Sequence, residues 1–204
     1  MNAPAPKARE AIMAVVQAGL APMFKRHGFK KNALSFTRRR GEVAHFFNLQ
    51  SSQWNTGTSG HFYLNAGVMF DELCRLRGVP APQVPQVPKY DDCQFMVRLE
   101  RIDASLPQFF KVDAGTDLAA LAAQVADAVE RAYVLPLEKV SSLRDFGATG
   151  WVGAIPWGFP ALYSYATGDL AQARRLVQLE ADTFTDRGCT FDSVAQALGI
   201  RFDA

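Results

Sequence analysis

Cysteine is scarce here and scattered: Cys74, Cys93 and Cys189 make an odd count with no C-x-x-C spacing. That excludes a disulfide framework and a zinc ribbon and fits a reducing cytoplasm. No uninterrupted apolar run reaches the roughly 18 residues needed to span a bilayer. Catalytic signatures are missing too. There is no G-x-S-x-G, because Gly57-Thr58-Ser59-Gly60 is one spacer short, no H-E-x-x-H and no phosphate-cradling P-loop. Net charge is only +2, from 22 Lys/Arg against 20 Asp/Glu, too little to point to nucleic acid or a membrane by itself.

What is present is globular. Of 204 residues 49% are apolar and 11% aromatic, enough for one packed core in a chain this long. The charge is unevenly placed: residues 1–50 hold nine Lys/Arg and two Glu, leaving thirteen against eighteen in the rest. Lys7 and Arg9 precede an uncharged stretch from Ala11 to Phe24 that imitates a signal sequence, yet Gln17 interrupts it and Glu10 sits among the basic residues. The expectation is a soluble cytoplasmic protein without a targeting segment.

Apolar residues at Ala8, Ala11, Ile12, Val15, Val16, Leu20, Met23 and Phe24 recur at three- and four-residue steps, predicting a helix from about Lys7 to His27 with one buried stripe. Pro22 kinks or restarts it, and Gly28 ends it with Phe29 packing back. From Ala33 the period becomes two, giving a hairpin through Arg38-Arg39-Arg40-Gly41 into a strand from Val43 to Ser52. A third strand, His61 to Phe70, places Phe62, Leu64, Ala66, Val68 and Phe70 on the core face and His61, Tyr63, Asn65 and Gly67 on the other. Four prolines between Val79 and Pro88 predict an extended connector. A fourth strand begins at Cys93 and runs to Leu99, and Pro107–Val112 adds a short fifth. A helix starts at Thr116 and is kinked or ended by Pro136, with Leu137–Arg144 prolonging it. The Gly- and Pro-punctuated stretch from Gly147 to Pro160 docks through Trp151 and Trp157. A helical hairpin turning at Gly168-Asp169 and ending at Arg187, then a helix from Thr190 to Gly199, complete the chain.

The combination of Gly28-Phe29, Phe36, Asn48-Leu49-Gln50-Ser51-Ser52, Phe62, Asn65-Ala66-Gly67-Val68 and Arg98 resembles the bacterial family called domain of unknown function 4304, over the first half to two thirds of the chain. The resemblance implies a helix followed by an antiparallel sheet. It implies no reaction, cofactor or catalytic residue. The proline loop is longer and richer in Pro than the family pattern, which leaves open how the chain enters the Cys93 strand.

The leading candidate site is the polar strand face of Asn48, Gln50, Ser52, Tyr63, Asn65 and Arg98, with His61 at its edge. Paired amides, hydroxyls and one guanidinium are suited to orienting a carboxylate, a phosphate or a peptide group. The competing reading is structural: Gln50 and Asn65 bond to neighbouring chain, and Arg98 pairs with a carboxylate of the later helices. A second candidate is nucleic-acid binding through Lys25, Arg26, Lys30, Lys31, Arg38, Arg39 and Arg40, interleaved with Phe24, Phe29 and Phe36. Against it, basic residues also belong at a helix C-terminus and a hairpin tip. A third is a hydrolase using Ser52 and His61. His45 shares parity with core residues and reads as a satisfied interior imidazole. Asp71-Glu72 and Asp91-Asp92 flank the proline loop as solvated acidic edges, and no metal or cofactor is expected. The sequence predicts an α+β protein in which residues 1–145 carry an N-terminal helix on a four- or five-stranded antiparallel sheet and residues 146–204 form a helical extension on the same core. Its function is that of a non-catalytic cytoplasmic module binding a small anionic ligand or a protein partner.

Overall fold

A computed structural model describes residues 6–155, 158–183 and 192–200. Cys189, Trp157, and the predicted helix limits at Arg187 and Thr190 lie outside them. The fold is α+β, and among the described residues no helix is long and apolar enough to cross a membrane. In chain order come α1 (Ala8–Val15), a π-helical turn (Val16–Leu20), α2 (Ala21–Arg26), β1 (Lys30–Asn32), β2 (Ser35–Arg40), β3 (Val43–Ser51), β4 (Gly60–Phe70) and α3 (Asp71–Leu76). After the proline loop follow β5 (Phe95–Arg98), β6 (Phe110–Val112), α4 (Leu118–Val129), a second π-helical turn (Glu130–Val134), α5 (Leu143–Gly147), α6 (Phe159–Ala166), α7 (Leu170–Thr183) and α8 (Asp192–Ala197). The sheet runs β1-β2-β3-β4-β5, with β6 also paired to β4. Its sixth strand is the three-residue β1, all exposed and polar, so neither length nor alternation announces it.

The chain divides into two compact units. The first holds residues up to Arg38, His45–Gly67 and Met96–Glu138. Every residue of the predicted α1–α2 stripe from Ala8 to Phe24 is buried in it. Phe24 stacks on Phe36 with ring centroids 4.3 Å apart and touches Phe29 at 4.8 Å and Phe47 at 5.0 Å. Gly28 terminates α2 with φ +77°, its N–H donating to Lys25 O, and Phe29 N–H donates to Phe24 O, which folds the Phe29 ring back on the helix.

Each π turn ends one residue short of a proline, and the prolines account for them. Ala21 donates to the carbonyl of Val16, and Pro22 follows; Leu135 donates to the carbonyl of Glu130, and Pro136 follows. A proline ring in a regular helix clashes with the carbonyl four residues back and has no N–H to give it. The wider i to i−5 turn moves that carbonyl aside. The chain stays helical across the π turn, and Pro22 falls in the first turn of α2, as the restart reading expects. After Pro136 the chain leaves the helix, and Ser142 caps a separate α5 through Asp145 N–H, so the predicted prolongation over Leu137–Arg144 is replaced by turns and a new helix.

The second π turn also delivers Tyr133, fully buried, whose hydroxyl lies 2.8 Å from Phe46 O and 2.9 Å from Gly67 O, tying itself to carbonyls of β3 and β4. Tyr133→Phe removes this hydroxyl tie to β3 and β4 and should lower stability by about 1–2 kcal/mol in urea unfolding. An unchanged midpoint would show that the hydroxyl contributes nothing.

The second unit holds residues 39–44 and 68–95 with the chain from Lys139 onward. Its core is aromatic: Phe70, Phe95, Phe146, Trp151 and Phe159 meet at centroid distances of 4.9–6.2 Å. Trp151 docks as its sequence context predicts. The α6–α7 hairpin turns at Gly168, with φ +90°, and Asp169 caps α7 through Gln172 N–H.

Candidate functional site

Alternation along β3 and β4 carries the polar candidates to the sheet face opposite the phenylalanine core. Three of them meet. Asn65, 4% exposed on β4, donates to Gln50 Oε1 at 3.2 Å and lies 3.4 Å from Asn48 Oδ1; Asn48 in turn donates to Ser35 Oγ on β2 at 3.0 Å. These amides form a ladder across three strands and are largely one another's partners.

Tyr63 and Arg98 form a second pair. The Arg98 guanidinium lies 3.7 Å from the centroid of the Tyr63 ring, a geometry that fixes a cation without neutralising it. Among the described residues no carboxylate pairs with Arg98. Tyr63 is flanked by His61 at 5.8 Å and Phe109 at 6.1 Å, and Phe109 carries Lys111 Nζ at 5.7 Å from its ring. Phe109 and Lys111 were missing from the sequence candidates; the pairing of His61 with Lys111 in the β4–β6 ladder brings them in, and no local pattern encodes that register.

Ser52 stands apart. Its hydroxyl accepts from Trp54 N–H at 3.2 Å, its own N–H donates to His61 O, and the His61 ring packs on Tyr63 and Phe109. Among the described residues no imidazole bonds to Ser52 Oγ. No group of three or more His, Cys, Asp or Glu able to hold a metal ion occurs among them either. Cys93 and Cys74 are free thiols, both pushed above the ordinary thiol range chiefly by burial, which keeps them protonated and poorly nucleophilic.

The basic segment disperses. Lys25, Lys30 and Lys31 are exposed, and Arg26 reaches Glu130 at 3.4 Å. Arg38 points inward. Its side chain, 5% exposed, pairs with Glu138 at 2.7 Å, donates to His27 O at 3.0 Å and to His45 Nδ1 at 3.2 Å, and lies 4.5 Å from the Phe29 ring centroid. Its parity with Phe36 is the sequence signal for this. His45, fully buried, meets Arg38 at Nδ1, but the expectation of a fully satisfied interior imidazole is not met at Nε2. In the second unit Arg39 binds both oxygens of Asp71 at 2.9 Å and donates to Pro85 O at 2.6 Å, clamping the proline loop. Arg40 is half-buried on the same strand. Arg39→Ala should raise the rate of proteolytic cleavage within residues 79–88 several-fold while leaving the far-UV spectrum intact; an unchanged cleavage rate would refute the clamp.

His27 does more than end α2, although no sequence pattern marks its partners. Its Nε2 lies 2.5 Å from Glu130 Oε1 and its Nδ1 3.1 Å from Glu138 Oε1. The Glu130 carboxyl is held below the ordinary carboxylate range, first by the His27 hydrogen bond and then by Arg26, against desolvation. A carboxyl depressed in the native state stabilises above its unfolded value and loses that contribution as pH falls through the native one. Glu130→Gln should therefore flatten the acid limb of the stability–pH curve; an unaltered limb would contradict the linkage.

A family model described as Domain of unknown function (DUF4304) matches residues 20–139, a span that contains the polar face, the Arg98–Tyr63 stack and the His27 network. No curated protein and no solved structure matches the chain.

Proposed function

The chain belongs to the DUF4304 family of domains of unknown function, a membership that assigns no reaction, and from it we propose that the first unit is a non-catalytic binding module whose sheet face recognises an anionic group. The observation that carries this reading is Arg98. It is half-buried, held against Tyr63 at 3.7 Å, and has no carboxylate partner among the described residues. A partly desolvated guanidinium keeps five donors in a fixed fork and favours a carboxylate or phosphate that can accept two of them. The amide ladder beside it gives the strands a rigid register, so the fork is oriented before a ligand arrives. The free thiols Cys74 and Cys93 support placing the module in a reducing cytoplasm.

Isothermal titration with inorganic phosphate, sulfate and citrate tests the reading. Wild-type protein should bind at least one of them saturably, Arg98→Lys more weakly, and Arg98→Gln about tenfold or more weakly, the worth of a charge-assisted hydrogen bond. Equal binding by Arg98→Gln, or none by the wild type, would overturn it.

A further inference from the structure

Resting on that anion-binding reading, we propose that the occupant of this face is a single-stranded nucleic acid, with its phosphates on Lys30, Arg98 and Lys111 and its bases against Tyr63, His61 and Phe109. The placement follows from register. Lys30 opposes Thr37 in the β1–β2 ladder, and Thr37 shares its face with Ser35, whose hydroxyl joins the amide ladder. At the other side Lys111 opposes His61, which shares its face with Tyr63. Cations therefore stand on β1, β5 and β6 of one face, with aromatic and amide side chains between them. Among the described residues none of the three cations is in an ion pair, and the residues placed between them include no acid.

Three features select a polynucleotide over other anions. From β1 to β5 the face is about 20 Å wide, at roughly 4.8 Å per strand, far more than one phosphate or carboxylate covers. His61, Tyr63 and Phe109 form a continuous half-buried aromatic patch, with centroids 5.0–6.1 Å apart; a π face serves every base, whereas an acidic peptide has no use for it. Gln50, exposed and engaged in the ladder through its Oε1, keeps an amide N–H of the kind that base edges match. The assignment differs from one based on the basic run of residues 25–40. Lys31 opposes Phe36, a core residue, and so lies on the other face from its neighbour Lys30.

Fluorescence anisotropy with labelled oligothymidylate and oligouridylate, at low and at physiological salt, provides the test. The full chain should bind both, with affinity falling as salt rises. Arg98→Gln, Lys30→Glu and Tyr63→Ala should each weaken binding by about fivefold or more, and Lys31→Glu should leave it unchanged. Should Tyr63→Ala fail to fold, Lys111→Glu, at an exposed position, takes its place. If oligonucleotides do not bind but phosphate, polyglutamate or anionic vesicles do so in an Arg98-dependent way, this inference falls and the anion-binding reading stands. If nothing binds, both fall. Equal losses from Lys31→Glu and Lys30→Glu would move the contact off this face and overturn the proposal.

Discussion

Gly19→Ala should destabilise the protein by about 3 kcal/mol, although alanine is the better helix former by about 1 kcal/mol. Gly19 lies in the π turn between α1 and α2, and a β-carbon there would overlap the carbonyl oxygen of Ala122 on α4 and sit 2.8 Å from its carbonyl carbon. These are backbone atoms, so no rotamer change relieves the contact. Separating the helices instead would open the buried stripe of Ala11, Ile12, Val15 and Val16, at about 25 cal/mol for every Å² uncovered. For a chain of this size the melting temperature should fall by about 5–10 °C. A midpoint that rises, as helix propensity alone would have it, would show that the two helices do not approach this closely.

Arg38→Met should cost about 2–4 kcal/mol. The substitution keeps the alkyl stem but removes the pair with Glu138 at 2.7 Å, the donations to His27 O and His45 Nδ1, and the stacking on Phe29. Glu138 is 31% exposed and can recover water, which holds the loss below that of a fully buried pair. The double variant with Glu138→Gln should lose less than the sum of the two single losses. A change within about 0.5 kcal/mol, the usual result at an open surface position, would mean that Arg38 is available to a partner and does not organise the interior.

Arg38 also shows how far the chain could be read before folding. Its parity with Phe36 places it inside, while its membership in a run of three arginines argues for a solvated tip; the alternation was the stronger signal, because one face of the strand must be buried. The α1–α2 stripe and the β4 alternation were legible for the same reason: periodicity reports burial directly. The partners of His27 were not legible. Glu130 and Glu138 lie more than a hundred residues along the chain, and nothing local encodes which carboxylates return to it. Pro22 and Pro136 marked disturbed helices, but whether the chain answers with a kink, a stop or a π turn depends on packing around the freed carbonyl. On the candidate face, parity gathered Asn48, Gln50 and Asn65 correctly. It could not say that the amides would bond to one another, or that Arg98 would have no carboxylate partner among the described residues. Nor could it include Phe109 and Lys111, which join only through the pairing of β6 with β4.

The most direct test of the anion-binding face is a two-dimensional ¹H–¹⁵N NMR titration of the full chain with inorganic phosphate, following backbone amides and the arginine Nε–H groups. Saturating shifts are expected at Arg98 Nε–H and at the amides of Tyr63 and Asn65, absent in Arg98→Gln. Saturating shifts centred on Lys25 and Lys31, or no saturating shift at Arg98, would contradict it.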